Sequence, residues 1–189
     1  MKRISMGLVL ALAPFIRDTY GDAAPPPIKL NGNLEAEIDS LGRSKSGSEI
    51  TVSLRLSNAG PTSIQLLLVP PQPLVTTNTG GSYSQVTGLS GLARCQFSFE
   101  VCTGINGIVR GNTPPLQSWT EIGSGTTVVA NFVFHGNPTT APLISLSATL
   151  AYRIASNKLQ DDTLSDEQKR TQIRSMTLSF PPRIVQDER

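Results

Sequence analysis

The chain is poor in the residues from which catalytic and metal centres are usually built. Among 189 residues there are one histidine, one tryptophan and two cysteines, and only 16% of the chain is charged. A structural zinc site draws on four Cys or His ligands. Here Cys95, Cys102 and His135 are the only candidates, spread along the chain, so no metal site is expected and His135 reads as a solvated strand-end residue. A Ser-His-Asp triad would need that same imidazole beside a serine on a sharp elbow. No G-x-S-x-G stretch exists, and Gly88-Leu89-Ser90-Gly91 has the wrong spacing. Gly-Lys phosphate cradles and nucleotide fingerprints are missing as well. A glycosidase-like carboxylate pair, for instance Glu100 with Glu121, depends on a separation that only the fold sets. Asp161 and Asp162 read as a hydrated pair rather than calcium ligands. The expectation is a non-enzyme with no catalytic residue, no cofactor and no bound metal.

Charge of either sign is equally thin. Lys plus Arg number 16 against 14 Asp plus Glu, and the densest basic stretch, DEQKRTQIR at 166–174, is interleaved with acids. That pattern belongs to a solvated surface, not to a phosphate-binding face, so nucleic acid is not an expected partner. Long apolar runs are absent too. The longest, from Ile4 to Ile16, falls short of the roughly 20 residues a membrane-spanning helix needs, and Pro14 would break it. Preceded by Lys2 and Arg3 and followed by Gly21, Ala23 and Ala24, it has the layout of a secretory signal peptide over 1–24. No cysteine follows for lipid attachment. An exported protein, periplasmic or extracellular and without a transmembrane anchor after cleavage, is therefore expected. With six Phe, three Tyr and one Trp, a transmembrane barrel would lack its two aromatic girdles.

What the chain does have is period-two alternation. After a Pro-rich spacer at 25–32, Leu34, Ala36 and Ile38 alternate with Glu35, Glu37 and Asp39. Ile50, Val52, Leu54 and Leu56 then alternate with Thr51, Ser53, Arg55 and Ser57. Asn58-Ala59-Gly60-Pro61 reads as a turn into a strand that stops at Pro70 and Pro71. The middle, with PPQP at 70–73 and NTGGS at 78–82, reads as loop with a short strand near Tyr83–Val86. A strand near Ser118–Ile122 meets the turn GSG at 123–125, and TTVVANFVFHG reads as a central strand apolar on both faces. ISLSATLAYRI and SMTLSF supply the last two strands before Pro181-Pro182-Arg183 closes a domain spanning 33–183, with 184–189 as a tail. Ser165 and Gln168 form a capping box, with Asp166 and Glu167 in the first turn, which predicts a short helix near 166–173.

Seven to nine short strands without long helices predict an all-β, antiparallel sandwich. In ITVSLRLSNAGPTSIQL and EIGSGTTVVANFVF the strand, turn and strand pattern resembles the secreted immunoglobulin-like domains of bacterial cell-surface and periplasmic proteins. That resemblance implies a sandwich used for adhesion, assembly or ligand display, often without catalysis.

Cys95 and Cys102 pose a geometric question. In an oxidising compartment a disulfide is the expected state. On one straight strand, however, seven steps of about 3.3 Å would hold the Cα atoms roughly 23 Å apart, where a bridge tolerates about 4.4–6.8 Å. Phe97, Phe99 and Val101 alternate as a strand would, which favours unpaired thiols. Pairing demands that the chain coil between Gln96 and Val101, and that is the reading adopted. A redox pair is disfavoured because the spacing is not C-x-x-C. Of the polar-tipped aromatics, Trp119 and Tyr83 are the candidates for stacking on a sugar, with core packing the competing reading. The function expected is a non-catalytic module that binds another protein of the envelope or cell surface, through edge strands or through loops at 70–92 and 155–173. A carbohydrate-binding module of the same fold is the alternative, and a secreted hydrolase stands behind both.

Overall fold

A computed structural model describes residues 28–30, 33–103, 105, 119–155 and 165–187. The expected signal peptide, Pro25–Pro27 and the Asp161-Asp162 pair lie outside these residues.

The clearest alternation gives the clearest strands. In β2 (Leu34–Arg43) Leu34, Ala36 and Ile38 point inward, and in β3 (Glu49–Asn58) buried and half-buried residues alternate without a break. A bulge between Ile38 and Ser40 in the β2–β3 pairing adds Asp39 as an extra residue. Such an insertion flips the faces that follow, and Arg43 accordingly ends up buried.

The remaining elements are β1 (Ile28–Leu30), β4 (Ile64–Thr77), β5 (Ser82–Ser90), α1 (Phe99–Thr103), β6 (Thr120–Ile122), β7 (Thr127–Gly136), β8 (Leu143–Ile154), α2 (Asp166–Gln172), β9 (Arg174–Ile184) and β10 (Gln186–Asp187). Ten strands pair in the order β1-β2-β3-β7-β5-β4-β8-β9, with β10 on β2 and β6 on β4. All ladders are antiparallel except that of β10 with β2. The link between β5 and β4 is only Val75 with Tyr83 and Thr76 with Ser82, so the ladder folds over at that hairpin. Leu54 and Phe132 from one layer and Leu66, Leu146 and Leu178 from the other share one apolar core. This is the all-β immunoglobulin-like sandwich.

A second, smaller core lies outside that sandwich. Leu67, Val69 and Ala151 project from the outer face of β4 and β8 and are covered by Cys95, Cys102, Ile105 and Ile173. The run Leu66–Val69 is consequently no more than 1% exposed throughout.

Several expectations are corrected. Neither proline pair ends its strand. β4 passes through Pro70-Pro71, a cis peptide, where its register on β8 shifts between Val69 and Leu74; β9 passes through Pro181-Pro182, where the register shifts between Ile144 and Leu146 of β8. Prolines are tolerated in a sheet where the ladder is already interrupted. The stretch 70–92 is thus mostly strand, with the loop confined to the hairpin around Gly80, which has φ +87°. β7 is central, between β3 and β5, yet only Ala130, Phe132 and Phe134 are buried, and Val129 is 39% exposed. Three short strands raise the count above nine, and two of them lie in segments read as spacer and tail: β1 pairs with β2, and β10 runs beside its far end. The capping box is present, the Ser165 amide donating to Gln168 Oε1 at 2.8 Å and the Gln168 amide to Ser165 Oγ at 3.2 Å.

Candidate functional site: the disulfide-covered face

The outer face of β4 and β8 carries the chain's cysteines and its tryptophan. From Leu92 the backbone runs beside β4: the Leu68 amide donates to Ala93 O at 2.8 Å, and the Cys95 amide donates to Leu68 O at 2.7 Å. Arg94 Nε donates to Gln72 Oε1 at 2.8 Å. The chain then coils into α1, where the Cys102 amide donates to Ser98 O and Thr103 Oγ1 to Phe99 O. This coil supplies what a straight strand denies, because Cys95 and Cys102 are bonded with their Cα atoms 5.8 Å apart. Both are buried, at 0% and 3% exposure, while between them Phe97 and Val101 stand 44% and 39% exposed. Glu100 is fully exposed at the start of α1. Hydrogen bonds from its own backbone amide and the Ser98 hydroxyl hold its carboxyl below the usual range.

Beside this loop, Trp119 enters β6. The Thr120 hydroxyl accepts from the Ala93 amide at 2.7 Å, tying β6 to the segment leading into the disulfide. The Trp119 ring packs against the second core, and its face carries the Arg153 guanidinium, whose carbon lies 4.5 Å from the ring centroid. Arg153 Nε donates to Gln65 Oε1 at 2.7 Å. In register, Gln65 stands between Arg153 on β8 and Glu121 on β6. Burial lowers the pKa of Arg153, though a guanidinium stays charged at any physiological pH.

The other expected positions are dispersed. Tyr83 is 1% exposed and its hydroxyl donates to Gly47 O at 2.6 Å; the ring fills the core at the hairpin and offers no face to a sugar. Trp119 is half-buried with a cation on its ring, so the two aromatics do not form a platform. His135 is half-buried on β7, opposite Glu49 and Gln85 in register. Glu100 and Glu121 are exposed on α1 and β6. Among the described residues no three His, Cys, Asp or Glu side chains gather as a metal site, and no helix is long and apolar enough to cross a membrane.

Two buried polar residues, Asn58 and Arg43, organise the frame. The buried Asn58 side chain donates to the carbonyls of Thr62, Ile122 and Gly123 and accepts from the Gly60 amide, which locks the turn after β3 to the one after β6. The Asn-x-Gly turn signal was visible, but not the distant carbonyls. Arg43 is buried against Ala141 O and Asp187; only the bulge in β2 turns it inward, and nothing in the sequence announces that bulge.

No protein-family model and no curated protein matches the sequence. Similar solved structures include the yeast GGA1 GAE domain (14% identity, TM-score 0.39, covering 82% of this chain and 97% of that one). They also include a PapD-like domain of human CEP192 (10%, 0.34, 98% and 100%). A third is AggA, the major subunit of aggregative adherence fimbriae type I from Escherichia coli (10%, 0.37, 85% and 99%).

Proposed function

We propose that the protein is an exported, non-catalytic immunoglobulin-like module that docks a protein of the cell envelope or surface through the disulfide-covered face. The observation that carries this reading is the exposed pair Phe97 and Val101 held out by a buried disulfide on a strand that is itself covered on both sides. A rigid apolar knob loses little conformational freedom on binding, and most interface energy comes from a few such anchors. The bridge also fits an oxidising destination. The sugar-binding reading is not carried forward, because Tyr83 is in the core and Trp119 is capped by Arg153.

The test is photocrosslinking in the native host with p-benzoylphenylalanine at position 97. A discrete protein adduct that disappears with Val101→Asp supports the reading. Absence of any adduct, or one that Val101→Asp leaves unchanged, counts against it. Intact-mass measurement tests export separately: the mature chain should lack the leader and be two hydrogens lighter than the dithiol form. Recovery with the leader attached and both thiols reduced would remove the export half.

A further inference from the structure

Among the described residues Arg43 pairs with Asp187, and Arg55 with Glu37 and Asp39. Arg153 is arranged differently. It is half-buried, its ring-facing side lies on Trp119 and its Nε is committed to Gln65. No described carboxylate sits within salt-bridge distance of it. Stacking and the Gln65 bond together hold the guanidinium plane, and the two terminal nitrogens of any guanidinium form a planar fork. Such forks match the two oxygens of an anion in bidentate fashion.

From this arrangement we propose that Arg153, stacked on Trp119 and oriented by Gln65, is a recognition site for a single carboxylate, the C-terminal carboxylate of the docked partner. This rests on the docking reading above and names the chemistry of its partner. A carboxylate fits better than a phosphate. One cation is in place, and Glu121 lies two strands away in register, about 10 Å at the usual strand spacing, where it would oppose a doubly charged group. The partial desolvation of Arg153 strengthens its attraction for a monoanion that reaches it.

The chain's one tryptophan is itself the reporter. The oxidised full-length protein is titrated with N-acetyl-L-leucine, with its neutral amide and with inorganic phosphate, following Trp119 emission. The acid should give a saturable change, with the amide and phosphate binding at least about tenfold more weakly. Arg153→Gln should weaken the acid by about tenfold or more. Arg153→Lys should weaken it also, because an ammonium has no planar fork. If Arg153→Gln does not fold, the Arg153 Nε–Hε resonance of the wild type serves instead, and it should shift with the acid and not with the amide. Equal response to acid and amide, preference for phosphate, or an unmoved resonance would overturn the proposal. The two readings fail separately. Loss of the acid response with the position-97 adduct intact sinks the carboxylate site alone. A normal acid response with no Val101-dependent adduct sinks the docking reading alone.

Discussion

At the scale of single residues, the frame depends on a few polar groups buried with complete sets of partners. Asn58 is 2% exposed, and its removal would take a partner from the Gly60 amide and from the Thr62 and Ile122 carbonyls, while Gly123 O would still accept from the Thr126 amide and hydroxyl. Each net hydrogen bond is worth about 1 kcal/mol, and an orphaned buried group costs about 1–3 kcal/mol. Asn58→Ala should therefore destabilise by about 3 kcal/mol in chemical denaturation; a loss under about 1 kcal/mol would mean that water replaces the side chain. Tyr83 makes a pH-dependent contribution. Its burial raises the phenol pKa, an effect partly offset by the Arg43 charge. The unfolded chain then loses the proton first, near pH 10, and binds fewer protons than the native state above that pH. The contribution is full below pH 10 and falls as pH rises toward the folded value. Tyr83→Phe should cost about 1 kcal/mol at neutral pH through the lost bond to Gly47, and the gap to wild type should narrow in alkaline solution. A gap that is constant from pH 8 to 11 would contradict the assigned cause.

At the scale of elements, alternation made β2, β3 and β8 legible, because a strand with one face in a core must repeat every second residue. It misplaced the doubly covered strand. TTVVANFVFHG looked two-faced and lies open on one side, whereas the continuous run Leu66–Val69 is the one buried on both faces. What covers it is the disulfide loop that begins far downstream at Cys95, and no local pattern encodes that contact. Capping chemistry is local, so α2 could be read from Ser165 and Gln168 alone. The same loop makes the bridge an anchor for the second core. Closing a loop of about eight residues contributes roughly 2.5 kcal/mol in the chain-entropy picture. Since Cys95 and Cys102 lie over Leu67 and Val69, Cys95→Ala with Cys102→Ala should loosen this face before the sandwich. Exchange of the backbone amides at positions 68 and 95, which bond across the seam, should accelerate while Leu54 and Phe132 stay protected. Uniform acceleration across all four would show that the two cores melt as one.

At the scale of the whole molecule, folding a continuous ladder into two layers leaves an edge to be guarded. β9 ends the pairing order. Along it Ser175, Thr177 and Ser179 are exposed while Leu178 and Phe180 are buried, and the stretch from Ser175 to Phe180 carries no charge. An uncharged strand edge invites pairing with another chain. In the sequence Pro181-Pro182 reads as the end of the domain, since a proline pair normally stops a ladder. The structure gives the pair a different place: the strand continues to Ile184, Arg183 donates to Ile38 O at 2.7 Å across the open side of the sandwich, and the prolines occupy the register shift on the exposed edge. Pro70-Pro71 lies in a wider shift, four residues of β4 against one of β8, on a strand that pairs on both sides beyond it, where no edge needs protection. The two pairs should therefore respond differently to replacement. Pro181→Thr with Pro182→Thr restores amides to an edge strand and removes the proline block on pairing there, so it should produce concentration-dependent self-association relative to wild type in size exclusion with light scattering, at little loss of stability. Pro70→Thr with Pro71→Thr disturbs an interior bulge, so it should lower the unfolding midpoint without changing the association state. If the edge variant associates no more than wild type across the same concentrations, the guarding of β9 must lie in the β1 and Arg183 contacts instead of its prolines.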